Sequence, residues 1–546
     1  MSGYRRAKAV FVPLVTISLT NKLTGLQKVR CHYPGAPLRC GGSSSKVDWT
    51  SRNDVRWMSH GPLFPMAEHP MSTLLQTDAL DLAARIARRD LSVREATESA
   101  IASIERQNPT LNAVVAERFD AARAEADEMD RDRPEQLPPL WGVPFLLKDV
   151  NLYSSVLPTR FASRFFASAQ PRGDSAMVRR WREGGLVVLG TTNTPEFAGD
   201  FTTEPLFYGT CRNPWNVGVT VGGSSGGAGA AVASGMVPLA HGTDLGGSIR
   251  IPAACCGVFG FKPSVGLNPL GPWWDEIAGG LDSDHVLTRS VRDSAAALDL
   301  TAGPDCGTRN GRLAPTGGFL KGLDTATGPL RIGLATKNAY RQSAGAAQVA
   351  AAEKVAHLLD AMGHVVVPYE FPVEAQFGAW FDSLWIVEVL HLVEERAREL
   401  GRQPERDELE PMTWAYIDQA RRLSALDLLE ARVNMTTVAQ AIGRSMNEID
   451  LVLTPALGED PAPLNTLTFA ACGSDLQTWV ERGYRFAPFA TPANLAGQPS
   501  AVLPVSLTAS GLPVAVQITG RPGADALVLR LSKALEDAIG WAGLPE

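Results

Sequence analysis

Cysteine is scarce in this 546-residue chain: there are seven, an odd number, and no C-x-x-C pair among them. That excludes a disulfide framework and makes free thiols in a reducing cytoplasm the simplest expectation. Each cysteine, taken singly, is ordinarily a small buried apolar residue. No run of eighteen uninterrupted apolar residues occurs, so no segment is expected to span a membrane. Positive charge is also lacking over most of the length. Residues 1–70 hold ten Lys or Arg against three Asp or Glu, and since the whole chain carries −7, the remainder carries −14. An acidic body of this kind lacks the basic face that nucleic acid requires. Histidine is missing from the last 155 residues, His391 being the final one.

The basic start has Arg5, Arg6 and Lys8 ahead of an apolar run over residues 9–19. Pro13 interrupts that run and no clear small-residue cleavage site follows, so a targeting segment is the weaker reading. Residues 1–70 are expected to be a non-catalytic, poorly ordered extension, with Met66 or Met71 a natural start for the folded part. Residues 71–546 are expected to form one catalytic domain. The whole chain is 45% hydrophobic and 20% charged, and it is long enough to bury a large core without a metal or disulfide.

Along that domain, helical and strand patterns alternate. Ser92 and Glu95 have capping-box spacing ahead of a helix that Pro109 is expected to end. Strands are expected at 111–115, 143–147, 186–189, 330–335, 364–367 and 450–453, with a hairpin at 501–507 and 514–519. Helices are expected at 121–129, 175–182, 346–362 (closed by Gly363) and 525–539. This is an α/β pattern: a large mixed central sheet covered by helices on both faces. Residues 375–445 are charged, helical and free of strand patterns. They read as a helical insertion over the sheet, equally suited to forming substrate walls or to being plain surface helices.

Two glycine-serine clusters stand 24 residues apart: Gly222-Gly223-Ser224-Ser225-Gly226-Gly227, and Gly246-Gly247-Ser248 within Gly242–Arg250. Glycine opens backbone conformations and lets a ligand approach, and a glycine-rich turn can aim several N–H groups at one developing negative charge. A flexible linker fits poorly, because Val232, Val237 and Leu239 are interleaved. The phosphate-loop pattern G-x-x-x-x-G-K-[ST] is absent. Residues 222–226 do satisfy G-x-S-x-G, the nucleophile turn of α/β-hydrolases, which would make Ser224 an esterase nucleophile. That reading needs a downstream histidine from among His241, His285, His357 and His364, and none is well placed.

Another base is available. Lys148 ends the apolar run 143–147, where burial would disfavour its ammonium form and leave an amine able to accept a proton. Taken alone, a lysine at a strand end is ordinarily just solvated.

Together these pieces resemble the amidase signature family. The resemblance is carried by the Lys148 strand, Thr192-Asn193-Thr194-Pro195-Glu196-Phe197, Arg212-Asn213-Pro214-Trp215-Asn216 and the two glycine-serine clusters. It extends to Phe261-Lys262-Pro263, Asn494-Leu495-Ala496-Gly497-Gln498-Pro499 and the segment 511–517. It runs from about Leu74 to about residue 540. It implies hydrolysis of a small carboxylic amide through an acyl-enzyme, without cofactor or metal. It implies Ser248 as nucleophile, Ser224 as bridging serine after a cis Gly223–Ser224 peptide, and Lys148 as base. The N–H groups of Leu245, Gly246, Gly247 and Ser248 are implied as oxyanion donors, with Asp244, Arg250, Ser225 and Gly223 as scaffold.

The stretch Gly280–Ser290 departs from the Ser-Leu-Asp-Gln-Ile-Gly-Pro of the tRNA-linked amidotransferase subunit. With Glu204–Asn216 and the insertion, it is more similar to the branch that contains 6-aminohexanoate cyclic-dimer hydrolase. Trp273, Trp274, Phe377, Trp380 and Trp385 are candidates for an apolar pocket, though each is more often packing; His285 and Cys306 are weaker candidates. A homodimer is what relatives suggest. A catalytically silent binding protein of the same fold stays open as the non-enzyme reading.

Overall fold

Eleven strands form the central sheet of this computed structural model, in the spatial order Val114–Glu117, Val187–Thr192, Pro144–Lys148, Leu239–Thr243, Asp284–Thr288, Phe259–Lys262, Ser500–Leu507, Pro513–Gly520, Leu451–Pro455, Arg331–Leu334, Val365–Pro368. Pairing is mixed. Pro144–Lys148 runs parallel to both its neighbours, whereas Leu239–Thr243 and Asp284–Thr288 are antiparallel, with Thr243 opposite Asp284. The structure describes residues 77–378 and 380–540, which lie within the unit Ala67–Glu546. The expectation for residues 1–70 falls outside them.

Every residue of the strands Pro144–Lys148, Val187–Thr192, Leu239–Thr243 and Asp284–Thr288 is buried. That is the mark of a sheet covered on both faces, and it explains why these strands read as continuous runs rather than alternating ones. Ser92 forms the expected capping box with Glu95. The helix it starts does not stop at Pro109: it runs Val93–Leu111 and ends at Asn112, whose φ of 51° is left-handed. The Asn108 side chain accepts from the N–H groups of Ala113 and Val114 at 2.8 Å and donates to the Val114 carbonyl. These side-chain bonds hold the exit turn, so the strand starts at Val114 instead of residue 111.

The glycine- and alanine-rich centre contains a fully buried helix, Gly226–Ala233, close to the small-residue helix expected over 228–235, and two strands that were not expected, Leu239–Thr243 and Phe259–Lys262. Its side chains are so small that the helix packs against its neighbours with no amphipathic stripe to read. Across 375–445 run three helices, Ile386–Leu400, Pro411–Ala420 and Ala425–Ser445. The five described cysteines are free, and Cys306 alone of them is exposed. No helix among the described residues is long and apolar enough to cross a membrane.

Candidate active site

Parallel pairing brings the carboxyl ends of Pro144–Lys148 and Leu239–Thr243 to one edge of the sheet, and antiparallel pairing brings the start of Asp284–Thr288 to the same edge. Open α/β sheets bind ligands at such an edge. Lys148 is 1% exposed there. Its Nζ lies 2.7 Å from Ser224 Oγ, 2.8 Å from Thr243 Oγ1 and 3.0 Å from Ser225 Oγ. Ser225 Oγ donates to the Thr243 carbonyl, so toward Lys148 it can only accept. Burial pulls the Lys148 amine down from 10.5 to about 7, against the opposing pull of Asp282, Asp284 and Asp244. A fully solvated lysine at that starting value would be neutral about once in 3000 molecules at pH 7. Here the neutral amine is abundant.

Ser224 follows a cis peptide at Gly223, as the family resemblance implied. A Cβ on Gly223 would lie 2.4 Å from the Thr202 carbonyl oxygen, so this turn admits no side chain. The two glycine-serine turns are stitched together by the Ser225 N–H, which donates to the Ser248 carbonyl at 3.1 Å. Ser224 and Ser248 line one cavity together with Thr243, Leu245 and Gly246. Ser248 itself is half-buried, with its side chain on that cavity.

Asp244 and Arg250 hold the second turn. Arg250 makes two bonds to the Asp244 carboxylate, at 2.8 and 2.9 Å, and reaches Asn494, Gln517 and the Ala490 carbonyl. Burial alone would raise the Asp244 carboxyl, but the Arg250 charge and its hydrogen bonds hold it below the ordinary carboxylate value. The carboxylate in turn accepts from the N–H groups of Gly247 at 2.9 Å and Ile249 at 3.2 Å. This revises the expectation for Gly247: its N–H is committed to Asp244 and serves the turn. Gly247 has a φ of +127°, and a Cβ there would sit 2.7 Å from that of Ala490. No hydrogen bond among the described residues occupies the N–H groups of Leu245, Gly246 or Ser248.

The esterase reading of Ser224 does not survive the geometry. His241 bonds the Lys148 main chain, His285 pairs with Ser294, and His364 accepts from Leu330 N–H. His357 is exposed on the helix Ala346–Ala361. Of the aromatic candidates, Trp274 and Trp385 line the cavity. Trp273 packs edge-on against Tyr153, and Phe377 against Phe381 and Tyr484. His285 and Cys306 do not reach the cavity. Sequence reading missed Thr243 as a lysine partner, and it missed Asn494 and Gln517, which lie more than 240 residues from Arg250. It also missed Phe161, Phe197, Phe201, Phe381, Trp479 and Tyr484, which complete an aromatic wall. Phe197, Asn494 and Gln517 stand in segments that carry the family resemblance, but nothing local marks their roles, and no motif marks the others. Among the described residues no cluster suited to holding a metal ion is found.

A buried strand-end lysine in contact with serines on glycine turns, inside a mixed, doubly covered sheet, defines the class of the molecule. The amidase family model matches residues 95–529, and the chain belongs to that family; it is an amide hydrolase. It is 33% identical over 482 residues to the 6-aminohexanoate-cyclic-dimer hydrolase of Paenarthrobacter ureafaciens, covering 86% of this chain and 96% of that one. The solved structure of 6-aminohexanoate cyclic dimer hydrolase complexed with substrate superposes with a TM-score of 0.80 at 31% identity, covering 86% of this chain and 98% of the other. A bacterial aryl acylamidase of the amidase signature enzymes superposes at 0.76 with 28% identity, covering 85% and 97%.

Proposed function

We propose that this enzyme hydrolyses a small carboxylic amide, linear or cyclic, through an acyl intermediate on Ser248. The carrying observation is the 2.7 Å contact between the buried Lys148 amine and Ser224 Oγ, beside Ser248 on the same cavity. The neutral amine accepts the Ser224 proton while Ser224 accepts that of Ser248. Ser248 Oγ then forms a bond to the amide carbon, and the carbonyl oxygen takes the negative charge. The unoccupied N–H groups of Leu245, Gly246 and Ser248 are the donors available to that oxygen. As the tetrahedral centre collapses, the carbon–nitrogen bond breaks, and the leaving nitrogen receives the proton returned from Lys148 through Ser224. Water releases the acid by the same relay in reverse. The deciding experiment is mass analysis after treatment with a fluorophosphonate, which loses fluoride to an activated serine. A single adduct on the peptide carrying Ser248 is expected; a folded protein that stays unlabelled would instead be the silent binding protein.

The cavity also bears on which amide fits. The charged side chains lining it are all acidic: Asp200, Asp282, Asp382 and Glu388. Burial raises Asp200 and Glu388 to about 8 and Asp382 to about 6. Among the described residues no cation on the cavity wall offsets them, and an anionic ligand would find only repulsion or neutral acids there. Amides carrying a free carboxylate are therefore expected to have kcat/KM about tenfold or more below that of the matching neutral amide, a penalty on the scale of an unfavourable close charge pair. Matched substrate pairs assayed at pH 8 check this; equal rates for the two would show that the acids do not face the substrate.

A further inference from the structure

The ring of His241 is fully buried between two strands of the sheet and plays no part in the proton relay. Backbone pairing between Pro144–Lys148 and Leu239–Thr243 is recorded only at Phe145 with Leu239 and Leu146 with Ala240. Beyond that, the Lys148 N–H donates to His241 Nδ1 at 3.1 Å, so a side chain takes the place of the next rung. Burial, with the nearby Lys148 charge, keeps the imidazole neutral. With Nδ1 accepting, the ring proton is on Nε2. That N–H lies 3.4 Å from Asp284 Oδ2 without forming a hydrogen bond, and both atoms are buried with no other hydrogen-bond partner. Asn151 Nδ2 reaches Asp284 Oδ1 at 3.3 Å and also bonds Asp282.

We propose that His241 and Asp284 are positioning residues for the base: the imidazole fixes the Lys148 main chain and orients the Asp284 carboxyl as counter-charge to the lysine ammonium formed during acylation. The inference rests on Lys148 being the base. Four groups face Lys148 from the surrounding elements: Asp282 and Asp284 from one strand and the turn before it, Asp244 from the second glycine turn, and His241 from the adjacent strand. Asp244 is engaged by Arg250 and Asn494, and Asp282 stands on the cavity wall where substrate binds. Asp284 is the carboxyl of the three that neither touches the cavity nor has an arginine partner. Its effect should therefore fall on proton transfer rather than on binding.

The test is the pH dependence of fluorophosphonate labelling of Ser248, with kcat and KM for a neutral amide, in the full-length enzyme and in Asp284→Asn and His241→Asn. Losing the carboxylate makes Lys148 a weaker base. Asp284→Asn is expected to move the acid limb of the labelling rate to lower pH by about half a unit or more and to lower the plateau about tenfold, with KM nearly unchanged. His241→Asn keeps an acceptor for the Lys148 N–H but removes the ring N–H that faces Asp284, so a smaller shift in the same direction is expected. The double variant should be no worse than Asp284→Asn, because one pathway is being interrupted twice. If Asp284→Asn does not fold, His241→Asn carries the test alone. Folded variants whose acid limb stays at the parental pH overturn the proposal, even if their rates fall. A parent enzyme unlabelled at Ser248 would reject the nucleophile instead.

Discussion

Ser248→Ala is expected to lower amide turnover by about four to six orders of magnitude, the scale seen when the nucleophile of a serine hydrolase is removed. The melting transition should change little. Ser248 is half-buried at the cavity wall, and no hydrogen bond to its Oγ is recorded among the described residues, so the substitution orphans no buried partner. A loss of about 0.5 kcal/mol or less is the ordinary cost of such a change. Its main-chain N–H and its carbonyl, which holds Ser225, remain in place. The alanine variant should thus still bind an amide while failing to cleave it. Steady-state rates with calorimetric melting check both halves. Turnover near that of the parent would remove Ser248 from the chemistry.

Lys148→Ala should lower the rate by about two to four orders of magnitude at neutral pH, the usual worth of a positioned general base. The sign of the pH effect follows from burial. As the proposed base, Lys148 would work only when neutral, and desolvation brings its amine from 10.5 to about 7. In the parent, kcat/KM should therefore rise with pH through about 7 and level off above it. The alanine variant has no such group, so its residual rate should keep climbing as hydroxide takes over the role, and its deficit should narrow at high pH. A variant that retains the parental midpoint would show that a different group is titrating. The substitution also takes a partner from three hydroxyls, leaving those of Ser224 and Thr243 orphaned while Ser225 Oγ keeps the Thr243 main chain. Melting curves should accompany the kinetics, since orphaned buried hydroxyls cost about 1–3 kcal/mol apiece.

How far the sequence revealed this arrangement depended on the range of each interaction. Ser224, Ser225 and Lys148 were legible because the glycine turns and the strand-end lysine together carry the family resemblance; the lysine alone would have read as solvated. The Asp244–Arg250 pair was implied by the same resemblance, and the two prove to be bonded across six residues. The commitment of the Gly247 N–H to Asp244 was not, since it depends on which way one peptide points. The strands Leu239–Thr243 and Asp284–Thr288 were missed: full burial removes the alternation that marks a strand, and the first is buried in glycine-rich sequence. His241 was weighed as a partner for Ser224 and turned out to hold the Lys148 main chain, a contact 93 residues apart that no periodicity signals. For Trp385 and Phe377 packing was the favoured reading; Phe377 does pack and Trp385 lines the cavity, because an aromatic residue in an insertion faces the cavity or its neighbours according to packing that spacing does not encode.

The groups assigned to chemistry sit on strand ends and glycine turns, whereas Phe381, Asp382, Trp385, Glu388, Val389 and Leu392 reach the cavity from the helix Ile386–Leu400 and the turn before it. This part of the cavity wall is thus carried by a stretch of polypeptide separate from the strand ends and glycine turns. Random mutagenesis confined to 381–392 would sample new amide preferences on an undisturbed catalytic chassis, which makes that dozen of positions the economical place to begin directed evolution of this enzyme.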